Sequence, residues 1–308
     1  MKNNTSPVLE VQNLKVSFSM YQKGLKQTEL TTIQSLNLNV SKGEILAVVG
    51  SSGSGKSLLA HAIMGILPDN ANVDGNILYC GEELTAERQK TLRGNEIALI
   101  PQSVDYLDPL MRVGKQVIGT KSNANAQKAA FKRYGLDENV EKMYPHQLSG
   151  GMARRVLIAT AITISPKLII ADEPTPGLTT ELAMETLNHF KELAENGVAI
   201  LLITHDIDLA LNVADRIAVF YAGTTVEIAD AKDFKKGRNA LRHPYSKAFI
   251  DALPQNDFEP IAGSQPYAGN LPTGCLFADR CPMRTEACSG EIKMRKLRDG
   301  EVLCVNAT

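Results

Sequence analysis

The chain has 308 residues, 44% of them hydrophobic, and its charges almost cancel, with 33 Lys and Arg against 34 Asp and Glu. That length suits two domains around a sizeable core, while the balanced charge leaves no basic footprint for nucleic acid, and the short basic run 293–298 reads as a solvated face. No apolar run approaches the ~20 residues a helix needs to cross a bilayer, and the opening MKNNTSPVLE lacks a signal peptide's apolar segment, so a soluble, cytoplasmic chain is expected.

In chain order, residues 8–18 (VLEVQNLKVSF) alternate partly and residues 32–40 (TIQSLNLNV) almost strictly. Both predict strands, with the polar stretch 21–28 as a hairpin connection. An antiparallel sheet there would offer Phe18 to a nucleotide base, with ordinary core as the equal alternative. Residues 44–49 (EILAVV) read as a buried strand and residues 58–64 (LLAHAIM), ending at Gly65, as a helix. Between them, Gly50-Ser51-Ser52-Gly53-Ser54-Gly55-Lys56-Ser57 fits the phosphate-loop pattern G-x-x-x-x-G-K-[ST] at every fixed position. Its glycines let the backbone approach an anion, and the N–H groups of the loop and of the helix start at Leu58 point at phosphates. Lys56 adds a charge near the β and γ oxygens, and Ser57 is placed to hold Mg²⁺. The loop is therefore expected to bind a nucleoside triphosphate.

Residues 76–79 (NILY) and 97–100 (IALI) are strand candidates, the second running into Pro101-Gln102. Residues 103–148 are richer in Lys, Asn, Ala and Gln and read as a helical insertion whose best helix opens at Asn123. Next comes LSGGM at 148–152, directly before an apolar helical run. Ser149 is a natural N-cap, and Gly150 and Gly151 leave the first-turn N–H groups open, which makes a second anion-binding helix start, weak as a signal by itself. Residues 167–174 (KLIIADEP) end an apolar strand in two carboxylates. Asp172 can hold Mg²⁺ through water, and Glu173 can orient and deprotonate an attacking water. A further buried run, 198–203 (VAILLI), ends in Thr204-His205-Asp206, which puts His205 at the same sheet edge and suggests contact with the γ-phosphate. Residues 217–228, broken at Ala222-Gly223, read as a closing hairpin.

Together, Phe18, the phosphate loop, Gln102, LSGGM, IIADEP and Thr204-His205 resemble the ATP-binding subunit of ABC transporters over nearly the whole chain. The resemblance implies an α/β fold: a P-loop NTPase (ABC ATPase) core with an antiparallel β subdomain, a helical insertion at about 103–160, and a small Cys-rich C-terminal domain. The expected division is 1–240 and 241–308. It further implies that Phe18 stacks on adenine and that Gln102 senses the γ-phosphate and the Mg²⁺ held by Ser57 and Asp172. Ser149, Gly150 and Gly151 would clamp ATP held by a partner, so that two ATP molecules are sandwiched in a dimer.

Residues 107–114 (LDPLMRVG) are similar to the segment following this Gln in oligopeptide, dipeptide and nickel importers, and residues 242–249 (RHPYSKAF) with 271–282 (LPTGCLFADRCP) to the tail peculiar to that family. The implied partners are a second ABC ATPase subunit, favoured to be a distinct homologue, two integral membrane permeases docking near 103–113, and an extracytoplasmic substrate-binding protein. The implied location is the cytoplasmic face of the membrane, and the cargo stays open among peptides, nickel and metal chelates. A soluble ABC ATPase of DNA repair or translation is the alternative, but the chain has neither a long coiled-coil insertion nor tandem cassettes. An iron-sulfur sensor that only binds nucleotide is the other, and the complete hydrolytic motifs stand against it.

Four of the five cysteines, Cys275, Cys281, Cys288 and Cys304, lie in the tail, while Cys80 reads as a small buried residue. Structural disulfides are not expected in a reducing cytosol. Four thiolates could close a Zn²⁺ site or hold an iron-sulfur cluster. Their spacing C-x5-C-x6-C-x15-C lacks the tight pairs of zinc ribbons, and members of the resembled family carry a [4Fe-4S] cluster, so a cluster that helps fold the tail is expected, with zinc or free thiols as alternatives. Two positions depart from the family pattern. Thr179 stands where an Asp of the D-loop is usual, and Met152 where the signature has Gln. The first is expected to weaken communication with the partner's ATP site while leaving hydrolysis intact.

Overall fold

Two long strands open the computed structural model, which describes residues 6–21, 27–254, 256 and 258–308. They are β1 (Leu9–Tyr21) and β2 (Gln27–Val40), paired antiparallel from Leu9↔Val40 to Tyr21↔Gln27. Both outrun their alternating residues, because backbone pairing continues after the apolar face ends. Most of the expected connection, 22–26, lies outside the described residues. Then follow β3 (Ile45–Gly50) and α1 (Lys56–Met64), which closes on Gly65 in the left-handed conformation. β4 (Ala71–Tyr79) pairs with β1, and β5 (Glu82–Glu83) with β4. Here too the strand starts earlier than its apolar end, since its exposed polar half pairs with β1.

After α2 (Ala86–Leu92), β6 (Ile97–Ile100) runs into Pro101. The stretch that follows holds α3 (Val113–Ile118), α4 (Ala124–Arg133) and short 3-10 turns, and Asn123 caps α4 by accepting from the Ala126 N–H at 3.0 Å. The rest of the chain runs through α5 (Gly150–Ile162), β7 (Leu168–Asp172), α6 (Thr180–Glu195), β8 (Ala199–Ile203), α7 (Ile207–Val213), β9 (Arg216–Tyr221) and β10 (Thr224–Asp230). Beyond α8 (Ala231–Lys235) and α9 (Pro244–Asp251), a mostly irregular tail ends in the small hairpin of β11 (Arg295–Leu297) and β12 (Gly300–Val302).

The strands lie in the order β5-β4-β1-β2-β10-β9-β3-β8-β7-β6. The run from β9 to β6 is parallel, β9 and β10 form an antiparallel hairpin, and a parallel bridge Ser35↔Thr224 joins the two halves. At the hairpin turn, Ala222 and Gly223 both have positive φ, 48° and 80°, as a two-residue turn of this hand needs. Gly223 also lies so close to the Thr32 carbonyl that a Cβ would stand 2.2 Å from its oxygen.

Alternation explains why the central strands are apolar throughout. Leu46, Val48, Leu168, Ile170, Leu201 and Ile203 face one core shared with α1 and the antiparallel arm. Ile169, Ala171, Ile200 and Leu202 face α3 to α6 on the other side. Ala47, Val49, Ile217 and Val219 face a third cluster built with α7, α9 and the tail. Strands covered on both faces have no polar side to show, and ligands collect at the carboxyl ends of such sheets. Among the described residues, no helix is long and apolar enough to cross a membrane.

Candidate active site

The carboxyl ends of β3, β7 and β8 converge. β3 ends at Gly50, where φ is 156° and a Cβ would stand 2.3 Å from the Phe220 carbonyl oxygen, so no side chain is tolerated at the start of the loop. Lys56 opens α1 and folds back over the loop, its ammonium donating to the carbonyls of Gly50 at 2.9 Å and Ser51 at 3.0 Å. It is buried, which pulls its pKa down, while Glu173 and Asp172 nearby oppose that shift. Ser57 faces Asp172, the last residue of β7, and its hydroxyl pulls the pKa of that carboxyl down. Burial nevertheless raises the Asp172 carboxyl above the ordinary carboxylate range, with the neighbouring Glu173 charge acting in the same direction.

Glu173 follows with φ of 50°, a left-handed conformation that a non-glycine residue holds only when its surroundings enforce it. Its N–H donates to the Ile203 carbonyl at 2.9 Å, which ties the turn to β8. One carboxylate oxygen lies 2.8 Å from Nδ1 of His205, whose side chain is 66% exposed against 8% for Glu173. Asp172 Oδ1, Glu173 Oε2 and Ser54 Oγ are buried without a partner. Buried polar atoms are normally satisfied, so these three mark a place prepared for something else.

A cleft of about 550 Å³ brings together Ser52, Gly53, Gly55, Lys56, Ser57, Leu58, Gln102, Glu173 and His205, with Thr32 on its wall. Gly50, Ser51, Ser54 and Asp172 lie behind this lining. Phe18 is not part of it; the ring is partly buried on β1 and packs against the core. Ser149, Gly150 and Gly151 are also outside it, at the start of α5. Ser149 caps that helix by accepting from the Met152 N–H at 3.3 Å, and a Cβ on Gly151 would meet the Gly177 carbonyl at 3.0 Å. The chain therefore carries two separate open helix starts, only one of which faces the carboxylates.

Sequence reasoning missed Arg154 and Thr32. Arg154, buried in α5, donates to the Pro101 carbonyl at 2.7 Å and to the Gln102 carbonyl, so it fixes the backbone beneath Gln102. Burial lowers its pKa, and Asp172 and Glu173 oppose this. Two adjacent arginines, Arg154 and Arg155, in a largely apolar helix were the available signal.

A cleft of phosphate-loop amides, one lysine, a hydroxyl facing a carboxylate and a second carboxylate paired with histidine is suited to hydrolysing a nucleoside triphosphate. The family comparisons agree. The ABC transporter profile matches residues 33–176, and the profile of the oligopeptide/dipeptide transporter C-terminal region matches residues 226–288. The chain is 36% identical to the oligopeptide transport ATP-binding protein AppD of Bacillus subtilis, over 92% of this chain and 91% of that protein. It is 35% identical to the oligopeptide transport ATP-binding protein OppD of Salmonella typhimurium, over 96% and 92%. The chain belongs to the ABC transporter ATP-binding subunits of the oligopeptide/dipeptide type. It is thus an ATPase of the transport-coupled class. A solved dimeric ATP-binding cassette in a post-hydrolysis state, bound to ADP and Pi, superposes with a TM-score of 0.64 at 25% identity, over 72% of this chain and 98% of that one.

Within this family's framework, Thr179 keeps one of the two properties of the usual Asp. It is the N-cap of α6, accepting from the Leu182 N–H at 3.4 Å, but it brings no charge.

The cysteines divide differently from expectation. Cys80 is exposed, not buried, because it sits at the turn between β4 and β5 with φ of 53°. The four tail cysteines are free thiols that share one neighbourhood, each of Cys275, Cys281 and Cys304 having its pKa raised first by burial and then by the other thiols, Cys275 to about 11. Yet among the described residues no group of three or more His, Cys, Asp or Glu is arranged to hold a metal ion. The expected [4Fe-4S] cluster, and zinc as its alternative, therefore have a suitable donor chemistry but no ready ligand sphere.

Proposed function

We propose that this chain is the ATP-hydrolysing subunit of a peptide importer, working at the cytoplasmic face of the membrane against two permeases. The observation that carries the catalytic part is the junction of Ser57 with Asp172 and of Glu173 with His205 at one cleft mouth. Residues 50–58 wrap the phosphates, and Lys56 leaves its carbonyl partners for the β and γ oxygens. Ser57, Asp172 and Gln102 would hold Mg²⁺, which when bound would neutralise charge on the phosphates. Glu173 takes a proton from water as the water oxygen bonds to the γ-phosphorus and the bond to the β-phosphate oxygen breaks. His205 orients that carboxylate and contacts the γ-phosphate. Phe18 stacks on adenine from its strand.

The open start of α5 at Ser149, Gly150 and Gly151 serves the ATP of a second ATPase subunit. Closure of the pair on ATP, and reopening after hydrolysis, would move the helical insertion at about 103–160 against the permeases. The exposed Tyr106, Leu110 and Met111 support a docking face there. The altered residue Thr179 favours a distinct homologue as that second subunit, and an extracytoplasmic binding protein would deliver the cargo. The relatives' names support peptides over nickel or metal chelates. A soluble ABC ATPase outside transport is the reading to eliminate, and co-purification with two integral membrane proteins separates the two.

We propose also that 1–240 and 241–308 act as separate functional parts and that Cys275, Cys281, Cys288 and Cys304 take a metal, a [4Fe-4S] cluster before Zn²⁺. In support, backbone N–H groups of Met283 and Thr285 donate to the sulfurs of Cys281 and Cys288 at 3.4 and 3.5 Å, so amides already face two of the four sulfurs. Anaerobic purification with iron and zinc analysis decides it, and a metal-free, fully active protein would overturn it. For the catalytic reading, Glu173→Gln is expected to lower turnover by about 10²–10⁴-fold while ATP stays bound. Unchanged turnover would refute the role.

A further inference from the structure

Ser51, the second residue of the phosphate loop, is gripped from outside the loop by the C-terminal tail. Its hydroxyl donates to Oε1 of Gln265 at 2.7 Å, across 214 positions of sequence. The phenol of Tyr245, on α9, faces the Ser51 hydroxyl and backbone N–H, and both oppose the rise in its pKa that burial causes. On the inner side of the loop, the Ser51 carbonyl is one of the two acceptors that park the Lys56 ammonium.

Both tail residues are themselves firmly placed. Tyr245 is buried, its ring centroid 4.5 Å from that of Tyr221 and 5.4 Å from that of Phe277. Arg280 lies over Tyr221 and Phe277, 5.7 and 5.8 Å from their centroids, and donates to the Tyr221 hydroxyl at 3.2 Å. The same guanidinium donates to the carbonyls of Ala262 at 2.8 Å and Ile261 at 3.0 Å, anchoring the segment that leads to Gln265. A continuous set of contacts thus runs from Arg280 in the tail to the loop.

We infer that Tyr245 and Gln265 are positioning residues of the nucleotide site, holding Ser51 so that the first turn of the phosphate loop and the resting place of Lys56 are fixed before nucleotide arrives. The inference rests on reading the cleft as an ATP site. Neither residue touches the cleft; both act through Ser51. A loop already ordered loses less freedom when phosphate binds, so the tail raises nucleotide affinity without contributing a ligand. If the contacts only packed the tail onto the core, their removal would lower the melting temperature and leave the affinity of the folded protein alone.

Titration of the full chain with MgATP in a calorimeter tests this. Tyr245→Phe keeps the ring packing and removes the hydroxyl; Gln265→Ala removes the half-buried amide partner. Each is expected to weaken MgATP binding about fivefold, the worth of one hydrogen bond, with circular dichroism unchanged and turnover at saturating ATP altered less than about twofold. In a Ser51→Ala background, Gln265→Ala adds nothing, because its bond is to that hydroxyl, whereas Tyr245→Phe still costs affinity through the backbone N–H. Unchanged affinity in both single variants would overturn the inference and leave the ATP site standing. An equal loss from Gln265→Ala with and without the Ser51 hydroxyl would also overturn it. Absence of MgATP binding by the unsubstituted chain would sink the ATP reading itself, and this inference with it.

Discussion

The end of β7 and the start of α9 are about equally buried and chemically opposite. At the first, Asp172 and Glu173 are 2% and 6% exposed, and each has a carboxylate oxygen with no partner. At the second, Arg242 and Glu227 are 1% and 0% exposed and densely satisfied. The guanidinium donates to Glu227 at 3.3 Å, Asp233 at 2.9 Å, the Leu297 carbonyl at 2.5 Å and the Arg298 carbonyl. Glu227 also accepts from the backbone N–H groups of Arg242 at 2.9 Å and His243 at 2.8 Å. Charges buried with full partners hold structure together; charges buried without them store a demand that a ligand can meet. The node fastens the terminal hairpin to β10 and α8, while the strand end keeps two carboxylate oxygens without a partner.

That contrast can be broken from either side. Arg242→Met leaves Glu227 buried and uncompensated and is expected to cost about 3–5 kcal/mol, read from urea unfolding. Adding Glu227→Gln, which removes the charge but keeps an oxygen for the backbone N–H groups of Arg242 and His243, should recover part of that loss, and failure to recover would mean that the node is more than a charge pair. A milder test uses His189, buried in α6 and bonded to the Tyr134 hydroxyl, whose pKa burial pushes down from 6.5 to about 4. The unfolded chain binds that proton more readily, so the stabilisation is complete above pH 6.5 and is lost as pH falls towards 4. His189→Gln should flatten the stability profile across that window.

The unpartnered strand end predicts the reverse sign. The Asp172 pKa is raised, so its charge opposes folding at neutral pH and the penalty eases as pH falls through the folded pKa. Asp172→Asn should therefore raise the melting temperature of the nucleotide-free protein by a few degrees while removing Mg²⁺-dependent turnover. A lower melting temperature would place Asp172 among the structural charges instead. The smallest effect is expected at Thr179, where Thr179→Ala removes the α6 cap at about 1 kcal/mol, measured by thermal unfolding, whereas Thr179→Asp keeps the cap and restores the charge usual in the family.

Much of this was legible in the linear chain because the signals are local. Alternation placed β1 and β2, continuous apolar runs placed β3, β7 and β8, and Gly65, Asn123 and Ser149 stood at helix ends as capping chemistry requires. Each of those depends on neighbours within a few positions. The errors share a different cause. Strands extended into polar residues because pairing, not side-chain pattern, carried them, and Cys80 lay at an exposed turn because the tight β4–β5 hairpin turned it outward. Arg154 gave only a weak hint, since its partners are carbonyls far away in sequence.

The sequence by itself determined the phosphate loop, the two carboxylates after β7 and the family, because a motif of eight residues between a strand and a helix has one chemical use. Only the tertiary structure decided which of these groups meet. Ser57 reaches Asp172, Glu173 reaches His205, and Tyr245 and Gln265 reach Ser51, all across parallel strands or a folded tail. Such contacts depend on sheet order and on which face of each strand is covered, and no local pattern encodes either.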